Sequence, residues 1–171
     1  AESNALSADV TADVLCLTYG TCVGGAIVRG GAIYHGTNWS AGEFGMIYMN
    51  GEYYENIASV TRLVEQAKSM DASLYDGRAI TARLNRSDVY ALVDGWAKQV
   101  AEGLASLIHI FNPACMIIGG GIMENKDVFN MVTSKVSELT APGFDVNIRS
   151  ARFGNSAGLI GAGILAQKLM K

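Results

Sequence analysis

Glycine is concentrated in four short stretches of this chain, and these stretches limit the possible folds more than any other feature. Most of the 20 glycines lie within residues 20–31, 42–51, 119–121 and 154–163. Glycine is used where the backbone takes a positive φ angle or approaches another group closely. Each stretch therefore marks a special turn or a close backbone neighbour, and a single domain of 171 residues must accommodate all four.

The spacing of apolar residues predicts strands first and then helices alternating with strands. Short apolar runs predict buried strands, whereas apolar residues three or four positions apart predict helices with one buried face. The predicted strands are 14–17, a hairpin over 26–34, 44–49, 115–118 and a last strand around Val146 and Ile148; the predicted helices begin at Asn56, span 87–111 and 128–139, and close the chain over 156–171. This alternation indicates an α/β domain built in layers.

Composition excludes several classes of function for this segment. Thirteen Lys and Arg against sixteen Asp and Glu give a net charge of −3 without a basic cluster, so we expect no nucleic-acid surface here. No apolar run is long enough to cross a bilayer, so we expect no membrane span. Cys16, Cys22 and Cys115 form no Cys-x-x-Cys pair, which indicates reduced thiols and a cytoplasmic compartment.

The first glycine stretch, residues 20–25, follows a predicted strand and precedes a hairpin. Small residues and a hydroxyl at such a turn allow backbone N–H groups to approach a bound anion. A P-loop is excluded, because no Gly-Lys-Ser/Thr follows and the next element is not a helix. Taken alone, the stretch is equally well explained as a turn that only serves the hairpin.

Two later glycine stretches have simpler structural explanations. At 115–121 an apolar strand runs directly into three glycines, where a phosphate or a flat ligand could lie against bare backbone. Taken alone, that pattern is better explained by a tight crossing from strand to helix. At 154–163 small residues recur at helical spacing, which favours close helix packing over ligand binding.

Two acidic residues lie in a setting that suits carbohydrate. Glu43 lies between Gly42 and Phe44, and Glu55 begins a predicted helix. Sugar hydroxyls need paired acceptors beside apolar surface, and carboxylates among glycines and aromatic rings provide them. The alternatives are a solvated turn for Glu43 and a favourable charge at a helix start for Glu55.

The sequence predicts no nucleophile, general base or metal cluster. His35 and His109 are far apart, and His109 lies between two isoleucines on the longest predicted helix, where packing or capping explains it. No Ser-His-Asp arrangement emerges, so we assign no catalytic residue to this segment.

Taken in order, these motifs resemble those of the ROK family, which contains sugar kinases and sugar-responsive repressors. Residues 13–28 are similar to its second phosphate motif and following hairpin, and 40–45 to its sugar-contacting Ala-Gly-Glu element. Residues 111–121 are similar to its Asn-Pro, strand and Gly-Gly-Gly region, and 154–162 to its C-terminal signature. The resemblance covers nearly the whole chain.

The resemblance implies an α/β fold of the actin-like ATPase (ribonuclease H-like) type, a mixed sheet flanked by helices. It implies that ATP with Mg²⁺ and a hexose or β-glucoside bind between this C-terminal lobe and an N-terminal lobe, and that the protein is a homodimer. The implied contacts are Gly20, Thr21, Gly24 and Gly25 for the ATP phosphates, Gly119, Gly120 and Gly121 for adenosine, and Glu43 and Glu55 for sugar hydroxyls. The implied chemistry is phosphoryl transfer to a sugar hydroxyl, with an aspartate as base and positioning as the main source of rate.

Three departures from the family pattern narrow the prediction. Met46 stands where most members carry a histidine that binds sugar and zinc, and the short stretch 49–55 replaces a group of cysteines. A thiolate zinc site is therefore excluded, and the chain resembles the zinc-free branch that includes β-glucoside kinases. Cys22 stands where glycine is common in the phosphate turn.

The family's N-terminal lobe, with its Asp-x-Gly-Gly-Thr phosphate motif, is absent from this sequence. The aspartate base would lie shortly before the first strand, where residues 1–5 are too short a match to assign that role to Glu2. We therefore expect the large lobe of an ATP-dependent sugar kinase, inactive by itself. The alternatives are the effector-sensing domain of a ROK repressor and, ranked last, a binding or structural module whose glycines only form turns. The lack of a zinc site favours the kinase.

Overall fold

A five-stranded mixed sheet forms the centre of the fold in the computed structural model, which describes residues 12–153. The strands of this part of the chain are β1 (Val14–Tyr19), β2 (Val23–Arg29), β3 (Ala32–Tyr34), β4 (Tyr48–Met49), β5 (Glu52–Tyr53), β6 (Cys115–Gly119) and β7 (Asn147–Ser150). The sheet order is β3-β2-β1-β6-β7, while β4 and β5 form a separate hairpin. β1 pairs antiparallel with β2 and parallel with β6. The C-terminal ends of β1 and β6 therefore lie at the same edge of the sheet.

The helices within residues 12–153 are α1 (Tyr54–Ala58), α2 (Val60–Met70), α3 (Gly77–Thr81), α4 (Ser87–Phe111) and α5 (Lys126–Leu139). Polar side chains fix several of their starts, as the Asn125 side chain does when it accepts hydrogen bonds from the first backbone N–H groups of α5. Asn112 ends α4 in the left-handed conformation, with φ 42°, directly before Pro113. None of these helices is both long and apolar enough to span a membrane.

The main core lies between one face of the sheet and the helices. Leu15 and Leu17 of β1 join Met116 and Ile118 of β6 in one buried cluster with the apolar sides of α4 and α5. The alternate residues of the same strands face the other side of the sheet, where a smaller buried cluster consists of Val14, Val28, Cys115 and Ile117. This two-sided burial explains why 115–118 is a continuous apolar run rather than an alternating one.

The structure confirms the central elements and corrects two others. The predicted strand 115–118 lies in β6, and α4 spans the predicted 87–111. The prediction of a strand over 44–49 is wrong: Phe44–Met46 forms a 3-10 turn and only Tyr48–Met49 is extended. The helix predicted from Asn56 is two helices, α1 and α2, and α3 was not predicted. The predicted helix 156–171 lies outside the described residues.

Candidate functional site

Two turns meet at the edge of the sheet where β1 and β6 end. Gly120 has φ +108°, and a Cβ atom on it would overlap the carbonyl oxygen of Tyr19. A glycine at this position therefore allows the turn after β6 to lie directly against the end of β1. Gly20 and Gly121 differ, because a Cβ atom on either would meet open space. Their backbone is thus accessible at the sheet edge.

Hydrogen bonds tie the start of α2 to the turn after β1. The Val60 N–H donates to the Gly20 carbonyl oxygen at 2.9 Å. Ser59 takes an extended conformation between α1 and α2, and its hydroxyl accepts from the Arg62 N–H at 3.3 Å. The buried Trp96 indole N–H donates to the Ala58 carbonyl oxygen at 3.0 Å. The break between the two helices is therefore held from the core, and the first turn of α2 lies beside the end of β1.

A buried pair of tyrosines anchors the last residue of β1 to α4. The Tyr54 hydroxyl donates to the Val100 carbonyl oxygen at 2.7 Å and lies 2.8 Å from the Tyr19 hydroxyl. Because the Tyr54 hydroxyl donates its proton to Val100, the Tyr19 hydroxyl is the donor in the hydrogen bond to the Tyr54 oxygen. Gly103 provides the space, since a Cβ atom there would overlap the Tyr54 ring. Burial raises the pKa of both hydroxyls well above the ordinary tyrosine value, so both are neutral.

A cleft of about 610 Å³, called cleft A, opens beside these turns. Its floor contains Gly20, Thr21 and Gly121, from the turns after β1 and β6. Its walls come from α2 and from the segment around α3, with the charged and aromatic residues Glu65, Lys68, Tyr75, Asp76 and Arg78. Glu124, from the 3-10 turn after β6, also lines the cleft. An open backbone floor beside two cations and three carboxylates is suited to an extended anion that binds together with a divalent cation.

A second cleft of about 350 Å³, called cleft B, adjoins cleft A. It is lined by Thr21, Cys22, Glu52, Glu55, Asn56, Ser59, Thr61, Arg62 and Glu65. Thr21, Thr61 and Glu65 line both clefts, so the two adjoin at the turn after β1. Cleft B is rich in carboxylates and hydroxyl or amide groups, which suits a ligand with many hydroxyls.

Glu55 is half-buried in cleft B and touches two neighbours that define its position. A Cβ atom on Gly45 would come within 2.9 Å of the Glu55 Oε2 atom, so a glycine at 45 leaves room for the carboxylate. The Cys22 thiol also hydrogen-bonds to Glu55. The negative charge of Glu55, followed by partial desolvation and this hydrogen bond, raises the pKa of the thiol. Cys22 is therefore a neutral donor to the carboxylate.

Hydrogen bonds and an aromatic contact hold the hairpin that precedes Glu55. Its turn has Asn50 and Gly51 at positive φ, the usual pattern of a tight hairpin. The Tyr48 hydroxyl donates to the Gly51 carbonyl oxygen at 2.6 Å, and the Tyr48 and Tyr53 rings meet edge to face. The Asn50 amide donates to Glu102 on α4 at 3.1 Å. No group of three or more His, Cys, Asp or Glu residues able to hold a metal occurs within residues 12–153.

The remaining predicted residues lie elsewhere. Gly24 and Gly25 are in β2, where a Cβ atom on Gly25 would overlap the Phe44 ring. Together with Gly119 and Gly120 they line a small cavity of about 230 Å³ that also contains Cys16 and Ile117, from the second face of the sheet. Glu43 is exposed just before the 3-10 turn and lines neither cleft A nor cleft B. The signature at 154–162 lies outside the described residues.

Several cleft residues were not predicted from the sequence. Lys68, Tyr75 and Arg78 line cleft A and Arg62 lines cleft B, yet each is a polar or exposed residue without a local motif. A larger cavity of about 730 Å³ lies apart from both clefts, around Ile108, Phe129 and Phe144. It contains none of the predicted site residues. We therefore place the candidate site at the two adjoining clefts, not at this larger cavity.

A mixed sheet of this order, flanked by helices and carrying a cleft where parallel strands end, defines a lobe of the actin-like ATPase class. A family model described as the ROK family matches residues 1–169. The chain therefore belongs to the ROK family, which confirms the resemblance and the fold class.

Named relatives are sugar kinases. A β-glucoside kinase from Listeria innocua is 30% identical, with 88% of this chain and 55% of the kinase aligned. A glucokinase from Halalkalibacterium halodurans is 32% identical, with 94% and 58% aligned. The solved structure of a ROK family glucokinase from Streptomyces griseus, in complex with glucose and AMPPNP, superposes with a TM-score of 0.78 at 26% identity, covering 92% of this chain and 61% of that one. The chain thus spans somewhat more than half the length of these relatives.

Proposed function

We propose that this chain forms the large-lobe half of the active site of an ATP-dependent sugar kinase. The observation that carries the proposal is that clefts A and B adjoin at Thr21, which lines both. A kinase must hold a nucleotide and a sugar side by side, with the transferred phosphoryl group at their junction. Cleft A has an open backbone floor and cations, and cleft B has carboxylates. The two clefts meet at the turn after β1 and so satisfy that requirement. The named relatives are sugar kinases, which supports the same conclusion.

In this proposal the nucleotide binds in cleft A. The backbone at Gly20 and the Thr21 hydroxyl contact the phosphates, and the open backbone at Gly121 lies under adenosine. Gly120 allows the turn after β6 to pack against the Tyr19 carbonyl oxygen beside this floor, whereas Gly24, Gly25 and Gly119 lie within β2 and β6 and line the small cavity on the second face of the sheet. Mg²⁺ binds through phosphates, water and one or two carboxylates. Glu65, Asp76 and Glu124 line cleft A and provide carboxylates of that kind.

The sugar, a hexose or a β-glucoside, binds in cleft B. Glu55 accepts hydrogen bonds from its hydroxyls within the cleft. Glu43 is exposed and outside the cleft lining, and we propose it as a second acceptor from the adjoining loop that leads to Gly45. In the reaction, a sugar oxygen forms a bond to the γ-phosphorus while the bond from that phosphorus to the bridging oxygen of ADP breaks. The hydroxyl proton passes to a base that we do not assign within this chain. Because the chain spans only part of its relatives, we expect it to show no sugar phosphorylation by itself.

Nucleotide binding by the chain tests the proposal directly. We expect Mg²⁺–AMPPNP to shift the amide resonances of Gly20, Thr21 and Gly121 in a ¹⁵N-labelled sample, while glucose or cellobiose shifts those of Cys22 and Glu55. A sugar-sensing domain without kinase chemistry would show the shifts of Cys22 and Glu55 with sugar but not the shifts of Gly20, Thr21 and Gly121 with nucleotide. Shifts confined to residues around the 730 Å³ cavity, or vigorous sugar phosphorylation by the chain alone, would contradict the half-site assignment.

We also propose that the protein is cytoplasmic and forms a homodimer through this lobe. The three cysteines are free and no two form a disulfide, which suits a reducing compartment. Exposed aromatic side chains such as Trp39, which is 77% exposed, provide apolar surface that a second copy could cover. Sedimentation velocity at micromolar concentration tests the dimer, and a single monomeric species would argue against it.

A further inference from the structure

Cleft B contains one cationic side chain, Arg62, among its lining residues. The other charged groups of that lining are the carboxylates of Glu52, Glu55 and Glu65. Free sugars need hydrogen-bond acceptors and donors but no full positive charge, so the sugar alone does not explain a guanidinium here. Arg62 lies in the same lining as Thr21, the residue at which cleft B joins cleft A.

The structure leaves the Arg62 guanidinium largely available to a ligand. Its one ion pair among the described residues places Nη1 3.8 Å from Glu65 Oε2, with side chains 47% and 62% exposed. An exposed pair at that distance holds its partners weakly. Arg86 provides the contrast, because its guanidinium bonds to both Asp71 and Asp88 and is thereby fully used.

The backbone of Arg62 is nevertheless held in place. Its N–H donates to the Ser59 hydroxyl at 3.3 Å, and two residues earlier the Val60 N–H donates to the Gly20 carbonyl oxygen at 2.9 Å. The arginine therefore projects from a helix turn that is tied to the proposed phosphate turn. A free guanidinium on a fixed backbone is well suited to bind phosphate oxygens in a fork.

We propose that Arg62 binds the phosphoryl group on the sugar side of the junction, so that cleft B binds a sugar phosphate more tightly than the free sugar. This inference rests on the proposed function and extends it to the product. The carboxylates of Glu52, Glu55 and Glu65 repel a phosphate dianion, and Arg62 supplies the opposite charge that admits it. The arginine is a phosphoryl-contacting residue, distinct from Lys68 and Arg78, which line cleft A alone.

The test compares glucose 6-phosphate, glucose and inorganic phosphate as ligands of the ¹⁵N-labelled chain. We expect glucose 6-phosphate to bind about tenfold more tightly than glucose, since hydrogen bonds to charged groups are about that strong. Arg62→Gln should weaken the binding of glucose 6-phosphate about tenfold and so abolish this difference, while Arg62→Lys should retain part of it. Arg29→Gln is the matched control, because Arg29 is exposed and lines neither cleft A nor cleft B.

A parallel titration with Mg²⁺–AMPPNP separates failure of this inference from failure of the proposed function. Equal affinity for glucose 6-phosphate in the wild type and in Arg62→Gln, with nucleotide binding intact, overturns the role of Arg62 and leaves the kinase proposal standing. Inorganic phosphate that competes as well as glucose 6-phosphate overturns the sugar-phosphate assignment. If neither nucleotide nor sugar phosphate binds to the wild type, both proposals fall.

Discussion

Replacing Tyr54 with phenylalanine should destabilise this lobe far more than the loss of one oxygen atom suggests. The hydroxyl of Tyr54 accepts from the Tyr19 hydroxyl and donates to the Val100 carbonyl oxygen, and both rings are fully buried. In Tyr54→Phe the Tyr19 hydroxyl remains buried without an acceptor. Leaving a buried polar group unpaired costs about 1–3 kcal/mol, and losing the bond to Val100 adds about 1 kcal/mol. We therefore expect a loss of about 2–4 kcal/mol.

A double-mutant cycle distinguishes this reasoning from simple loss of packing. Tyr19→Phe alone removes one hydrogen bond but leaves Tyr54 bonded to Val100, so it should cost about 0.5–1.5 kcal/mol. In Tyr19→Phe/Tyr54→Phe no unpaired tyrosine hydroxyl remains, and the cost should fall below that of Tyr54→Phe alone. Tyr90→Phe is the control, since Tyr90 lies on the exposed side of α4 and should change stability by less than about 0.5 kcal/mol.

Urea unfolding followed by far-ultraviolet circular dichroism measures all four variants against the wild type. Additive costs for the two single changes, or a double variant less stable than Tyr54→Phe, would refute the assignment of Tyr19 as donor to Tyr54. A cost below about 0.5 kcal/mol for Tyr54→Phe would refute the network itself. Because Tyr19 immediately precedes Gly20, the amide resonance of Gly20 should also move in Tyr54→Phe and stay fixed in Tyr90→Phe.

Three further predictions follow from individual contacts. Gly121→Val should weaken the binding of Mg²⁺–AMPPNP at least about tenfold, because the added side chain would enter the open space of cleft A. The same change should lower the free energy of unfolding by no more than about 1 kcal/mol. Gly95→Val, at an equally open position on α4, should leave nucleotide binding unchanged. Burial raises the pKa of the tyrosine pair, so the stability it contributes should be complete below about pH 10 and fall as pH rises further, as urea midpoints will show. Hydrogen bonds from Arg86 and Ser73 lower the pKa of Asp71, so its contribution should be lost as pH falls below the ordinary value of 3.8, and Arg86→Gln should weaken that acid dependence.

The fold was predictable from the sequence wherever burial leaves a periodic pattern. β6 is buried on both faces, and α4 buries one continuous side, so an apolar run and an apolar stripe identify them. The break at Ser59 was not predictable, because the apolar spacing of α2 continues backward into α1. The serine becomes extended only because its hydroxyl, the Trp96 indole and Gly20 bond to the backbone around it. Trp96 and Gly20 are distant in sequence and leave no local signal, so that only the Ser59 cap on the Arg62 N–H is a local feature.

The site was predictable only as a set of glycines, and the adjacent pair Gly120 and Gly121 shows why. Both belong to one motif, yet the structure gives them opposite reasons for lacking a side chain. Gly120 makes room for the Tyr19 carbonyl oxygen, whereas Gly121 faces the open space of cleft A. A glycine in the sequence indicates that a side chain is disfavoured at that position, but it does not indicate why. The reason depends on what occupies the volume that a Cβ atom would fill. At Gly120 the occupant is the protein itself, so a substitution there should unfold the turn. At Gly121 no protein atom lies within 4 Å of that volume, and we propose that the nucleotide fills it.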